Sequence, residues 1–193
     1  VHDPEIAARI ANYELAARMQ MAAPELIDLS GETQRTLDQY GVGRPEPEGK
    51  NYRGTLPHLN TYDAFARNCL LARRLVERGV RFVNIVHASW DQHSELDRNI
   101  AYNAGAVDQP IAGLIKDLKS RGLLDSTLLV WSGEFGRTVM NEKRNGSTFL
   151  GRDHHPGCFT IWMAGGGIKP GAVIGSTDEW GAQVAENPIS VHD

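Results

Sequence analysis

The chain has 193 residues, 20 Lys+Arg against 24 Asp+Glu, a formal charge of −4, and 41% hydrophobic and 23% charged residues. These proportions exclude a disordered, collagen-like or low-complexity chain, and the modest negative charge argues against a nucleic-acid groove, which needs a clustered basic face. No apolar run approaches the roughly 20 residues needed to span a bilayer, and the polar opening Val1-His2-Asp3-Pro4-Glu5 does not read as a signal peptide.

Residues 4–21 read as a first helix. Pro4 suits a first turn after Asp3 as N-cap, and Ile6, Ile10, Tyr13, Ala17 and Met21 recur at helical spacing. Residues 41–59 carry Gly41, Gly43, Pro45, Pro47, Gly49, Gly54 and Pro57 with almost no periodicity, which predicts an irregular loop. A second helix is expected over 61–78. Thr61 is its N-cap, Phe65, Cys69, Ala72 and Val76 form its stripe, and Gly79 stops it.

Residues 80–86 are rich in β-branched residues and read as a strand. Residues 99–121 form the next helix, with Val107, Ile111, Leu114, Ile115 and Leu118 on one face. Pro110 is expected to kink or restart it, and Gly122 to end it. The continuous apolar run 127–131 suggests a buried parallel strand, and 158–164 another strand. Helix, strand, helix and strand in this order give an α/β architecture. A right-handed crossover then makes the strands at 80–86 and 127–131 parallel neighbours, whose loops leave at one edge.

Three clusters follow the strand ends. The first is Trp90-Asp91-Gln92-His93, and the second is Ser132-Gly133-Glu134-Phe135-Gly136-Arg137. The third is Gly151-Arg152-Asp153-His154-His155-Pro156. Carboxylates and imidazoles meeting on one rim make a mixed N/O donor set that suits Zn, Mn or Fe. Asp-x-His alone is a weak signal, and each cluster also reads as a polar loop with surface ion pairs. If His154 joins Asp91 and Glu134, the strand after it must run antiparallel to the other two. Otherwise the loop must cross the whole sheet. Arg137 and Arg152 offer guanidinium forks for an oxyanion, or are ordinary surface arginines.

Other features read as structural. Cys69 and Cys158 lie outside any C-x-x-C motif and are expected as buried free thiols. Gly165 to Gly171 lacks the phosphate-loop spacing and reads as a tight turn. His2, His58, His87 and His192 are isolated, and Ser89, Ser94 and Ser132 lie outside any G-x-S-x-G.

The segment from Phe65-Ala66-Arg67-Asn68-Cys69 to Gly79-Val80-Arg81-Phe82 resembles the bacterial DUF1501 family. So do the three clusters and Ala164-Gly165-Gly166-Gly167-Ile168-Lys169. The resemblance covers nearly the whole chain. The family is similar to the alkaline phosphatase/sulfatase superfamily, which implies a three-layer α/β/α sandwich with a mostly parallel sheet. It also implies a metal-dependent hydrolase of phosphate or sulfate esters, acting on a small-molecule or glycan substrate.

By this analogy Asp91, His93, Glu134 and His154 are the ligands of a divalent metal, Zn foremost with Mn or Fe as alternatives. Arg137 and Arg152 stabilise the transferring group, with Asp153 and His155 behind the ligands. Glu134 stands where the superfamily has Asp followed by His. Here Phe135 follows, which leaves one ligand fewer. Family members are typically longer and many carry a twin-arginine export signal. The resemblance therefore implies that these residues are the C-terminal portion of an exported, periplasmic protein whose nucleophile lies earlier. The alternative reading is a non-catalytic, metal-containing binding module, carbohydrate recognition being one such role.

Overall fold

The structure is a computed structural model that describes residues 4–47, 61–142, 150–190 and 192. The expected N-cap Asp3, the isolated His2 and His58, and positions 48–59 of the expected loop lie outside the described residues. The elements, in chain order, begin with α1 (Pro4–Ile27), α2 (Gln34–Tyr40), α3 (Thr61–Glu77) and α4 (Leu96–Ser120). A 3-10 turn at Leu124–Ser126 leads into β1 (Leu128–Trp131). Then come β2 (Gly136–Arg137), β3 (His154–His155), β4 (Trp162–Gly165), β5 (Ser176–Thr177) and β6 (Val184–Glu186). Among the described residues no helix is long and apolar enough to cross a membrane.

The helices follow their local signals. Gly79 and Gly122 take positive φ, and the amide of the residue after each glycine reaches back, Val80 to the Leu75 carbonyl and Leu123 to that of Leu118. A left-handed residue is needed to close such a cap, and glycine supplies it without steric strain. The short α2 is not anticipated by the sequence reading, although its caps are standard. The Thr33 hydroxyl accepts the Thr36 amide at its start, and left-handed Gly41 ends it. Helix α4 runs unbroken through Pro110, where a kink or restart is expected. Helix α1 forms and extends past Met21, but Ile6, Ile10, Tyr13 and Met21 are exposed. Its helical spacing marks no buried face among the described residues.

The core lies between α2, α3 and α4. Tyr40, Phe65, Cys69, Leu70, Tyr102, Ala106, Leu114 and Leu118 are buried there. A buried ion network locks these helices together. The Arg73 side chain is 4% exposed, and its Nη2 donates to Glu32 at 2.7 Å and its Nη1 to Glu77 at 2.6 Å. Its Nε faces Asp117 at 3.0 Å as an ion pair rather than an aligned hydrogen bond. Burial opposes the Arg73 charge, but the hydrogen bonds to Glu77 and Glu32 outweigh it and its pKa ends above the ordinary value. Asp117 also accepts the Tyr40 hydroxyl at 3.0 Å and Arg121 Nε at 2.7 Å. Burial, then the Asp117 charge, raises the Tyr40 phenol, which stays a donor.

The three-layer α/β/α sandwich with a mostly parallel sheet is not found. The strands form three separate antiparallel pairs, β1 with β4, β2 with β3, and β5 with β6. The run 80–86 enters no ladder. It is nevertheless strand-like in one respect. Val83, Ile85 and His87 turn inward while Phe82, Asn84 and Val86 are exposed. Period-two burial is what an extended chain shows when one face packs on a neighbour, and Ile85 and Trp90 pack on the helical core. The β-branched run therefore specifies extended backbone and its inward face. A ladder also needs a partner, which local sequence does not supply.

Two outcomes are expected from this packing. Arg73→Ala leaves Glu32, Glu77 and Asp117 facing one another. It should lower stability by about 3–5 kcal/mol in urea unfolding, the cost of breaking a buried pair. Arg73→Lys should not restore it, because a single ammonium lacks the planar fork that reaches three carboxylates. Burial pushes the Cys69 thiol up to about 12, whereas Cys158 is only half-buried. Iodoacetamide at pH 8 should therefore modify Cys158 and spare Cys69 in the native protein, read by peptide mass spectrometry.

Candidate metal centre

Asp91 and His93 lie on the loop between the extended segment and α4. Its backbone is bent by two non-glycine residues at positive φ, Ser89 (78°) and Glu95 (50°). Such conformations persist where surroundings over-determine them. Here the Ser89 carbonyl accepts both the buried Asn103 side-chain amide from α4 and that of buried Gln92. The core helix thus anchors the loop, and Gln92 is buried between exposed Asp91 and half-buried His93.

His154 arrives from the other side. In the β2–β3 ladder Arg137 is the direct partner of His154, and Gly136 of His155. Directly opposed residues share a face of the ladder and their neighbours take the other. Arg137 and His154 accordingly both reach Asp91, while His155 turns away and its Nε2 donates to the Ala182 carbonyl at 2.7 Å. The loop before β3 is fastened to both flanks. The Arg152 amide donates to the Gln92 carbonyl, Thr138 to Asp153, Glu142 to Gly151, and Leu96 to Leu150.

Three donor atoms converge. His154 Nε2 is 2.8 Å from Asp91 Oδ1, His93 Nε2 is 3.0 Å from it, and the two Nε2 atoms are 3.1 Å apart. Asp91 Oδ1 also accepts Arg137 Nη1 at 2.7 Å. The Arg137 hydrogen bond, then that of His154, holds the Asp91 carboxyl at about 2, so it is anionic across the physiological range. Behind His93, Nδ1 lies 2.5 Å from Glu142 Oε2. An Nδ1–H donated to Glu142 leaves the lone pair on Nε2 and fixes the ring. That lone pair then faces the Asp91 oxygen. Two arrangements remove the repulsion: a second proton on His93, or a cation shared by all three groups. Asp91, His93 and His154 are the residues that would hold such an ion. Two imidazoles and a carboxylate are a donor set that Zn, Mn and Fe accept.

The other expected residues are placed differently. Glu134 is not among the converging atoms, and its Oε1 accepts Arg137 Nη2 at 2.9 Å. Arg152 Nη1 donates to the Thr138 and Val139 carbonyls and braces that loop. Asp153 Oδ1 accepts the His154 amide at 2.7 Å, so it holds the His154 backbone. Asp153 also forms a second close group with His93 and Glu142. Isolated His87 is wedged between the rings of Phe65 and Trp90, and burial lowers its pKa. Glu142 is the residue that the sequence reading missed. A single glutamate in a polar stretch carries no spacing signal, and only the fold brings it to His93.

His154 meets Asp91 but not Glu134, and β4 runs antiparallel to β1, while the second parallel strand assumed for this edge, 80–86, enters no ladder. What lets His154 and Asp91 meet is Gly151. A Cβ there would fall inside the His93 carbonyl and crowd the Ser94 amide. Gly151→Ala should therefore push the two loops apart. The expected cost is about 1–3 kcal/mol in urea unfolding, as for other overpacked sites. Loss of the His93–His154 proximity should show as separate imidazole environments by NMR.

No curated protein and no solved structure matches the chain. The family model described as "Protein of unknown function (DUF1501)" matches residues 1–193, and the chain belongs to that family.

Proposed function

We propose that Asp91, His93 and His154 hold a divalent cation, Zn foremost with Mn or Fe as alternatives, and that the site hydrolyses a phosphate or sulfate ester. The observation that carries this reading is the convergence of the three donors within 3.1 Å of one another, with Glu142 behind His93. The expected α/β/α architecture is absent, so the reading rests on these side chains.

Bound there, a divalent cation polarises an ester oxygen and lowers the pKa of water to about 7. The protein's own groups do the rest. Asp91 is anionic and supplies the charge that favours a cation. Glu142 keeps His93 in the tautomer whose Nε2 is a donor to it. Arg137, gripped by Asp91 and Glu134 on its two terminal nitrogens, lies beside the cluster with a fixed guanidinium plane that suits an oxyanion. In the reaction, water adds to phosphorus or sulfur and the bond to the ester oxygen breaks. That oxygen leaves with the bonding pair and takes up a proton, which gives the alcohol and the inorganic anion.

One observation favours a second reading, a metal-containing binding module without catalysis. The Ser132 hydroxyl donates to the neighbouring Gly133 carbonyl at 2.6 Å, so it is not paired with a base as a nucleophile would be.

Metal content by plasma mass spectrometry tests the site. The wild type should carry close to one equivalent of Zn, Mn or Fe, and Asp91→Ala and His154→Ala should lose it. Glu142→Gln should weaken binding by about 10–100-fold while leaving the site intact. A folded wild type that takes up none of these ions would sink the proposal and leave a second proton on His93 as the explanation of the cluster. A metal-loaded protein that turns over no phosphate or sulfate ester would favour the binding module.

A further inference from the structure

A cavity of about 570 Å³ opens beside the cluster. Gln92, Glu134, Phe135 and Arg137 line it at the end nearest the converging donors. Phe135 is the partition. Its ring packs 4.6 Å from that of His154, and the Arg137 guanidinium carbon lies 5.5 Å from the Phe135 centroid. The lining also includes the apolar and mostly aromatic Phe65, Trp90, Val107, Trp131 and Phe159, with His87, Ser132, Thr160 and Thr177 as polar side chains among them. Trp90 and Trp131 meet edge to face at 6.3 Å.

The size and charge of this space restrict what it takes. Cavities of about 300–1,000 Å³ enclose organic ligands of drug size, far more than a bare phosphate or sulfate fills. Among the described lining residues Arg137 is the single cation, and Glu134 is the single carboxylate. That one cation is already shared with Asp91 and Glu134, so a polyanion finds little countercharge here, and that at one end. Several of the polar side chains are engaged already, while His87 Nε2 is buried with no hydrogen-bond partner among the described residues. The Gln92 amide donates to the Ser89 carbonyl, the Ser132 hydroxyl to Gly133, and the Cys158 thiol to Gly181. A sugar ring with several hydroxyls would leave many of them facing apolar walls, at a cost for each unmet hydrogen bond. A planar aromatic ring needs none and gains from edge-to-face contacts with the tryptophans.

We propose that this cavity receives the alcohol part of the ester and that this part is an aryl group, with the oxyanion at Arg137 beside the cluster. The assignment of the anionic end rests on the function proposed above; the binding of the ring does not. The substrate class is thus a phosphate or sulfate monoester of a phenol-type alcohol, rather than an inorganic anion, a nucleotide or a polyhydroxylated sugar.

The test separates the two. Cys158 lines the cavity, so its alkylation by iodoacetamide reports occupancy. The probe is 2-naphthol, which carries the ring and no oxyanion, with methyl glucopyranoside as the comparison. At ten times its Kd, 2-naphthol should slow modification of Cys158 about tenfold by simple competition, with or without metal. Ile100→Trp and Thr177→Trp place bulk at exposed positions of the lining. Each should abolish protection while keeping the wild-type circular dichroism spectrum. Protection by the sugar and not by 2-naphthol would overturn the aryl assignment. So would no protection by 2-naphthol, or protection that survives both tryptophan variants. Metal uptake without protection rejects the cavity proposal alone. Protection without metal uptake supports it and rejects the metal reading alone.

Discussion

The contact on which the rest depends is the buried pairing of Arg73 on α3 with Asp117 on α4. Neither charge can be withdrawn cheaply, because each is shielded from water and has further partners to satisfy. Arg73 engages Glu32 ahead of α2 and Glu77 on its own helix, and Asp117 engages Tyr40 and Arg121. A guanidinium has the donors for this and a fixed fork to direct them, so the helices can meet in few other registers. The apolar stripes of α3 and α4 supply the burial, and the ion network selects the alignment.

That alignment reaches the candidate site through Asn103 as well as through the packing of Trp90 on the core. Asn103 is buried on α4 and donates to the Ser89 carbonyl, the hinge of the loop that carries Asp91 and His93. The opposite half of the cluster is set by the β2–β3 register, which puts Arg137 and His154 on one face. The two halves close only because Gly151 lets backbone approach backbone at His93. A rigid helical layer, a two-residue ladder and one glycine contact thus bring together groups that are 63 positions apart in the chain at the extreme.

The cluster and the cavity are adjacent but chemically opposite. Asp91, His93, His154 and Glu142 are polar groups whose lone pairs and protons are mutually constrained. The cavity is walled largely by rings, with His87 Nε2 as a buried polar atom that has no partner among the described residues. Arg137 and Phe135 stand between them, one charged and one apolar. A substrate that is anionic at one end and aromatic at the other is the kind of molecule such a boundary selects.

Local sequence was enough for α3 and α4 and for the residue types of the three clusters, but not for the short α2. Cap residues and apolar stripes act within a few turns, so α3 and α4 and their glycine stops were legible, whereas the strand at 128–131, expected as buried and parallel, is antiparallel with Leu128 and Val130 exposed. Asp91, His93 and His154 stood out because their residue types imply donors wherever they lie. The same local signals misled for α1, whose spaced apolar residues are exposed, and for 80–86, whose β-branched run is extended but unpaired. Only the tertiary structure decided which strands pair, that Glu134 holds Arg137 instead of joining the cluster, and that Glu142 backs His93. The physical reason is one of range. Dihedral preference and side-chain period are set by neighbours in sequence, whereas ladder partners and converging donors are set by packing between segments that the sequence keeps far apart.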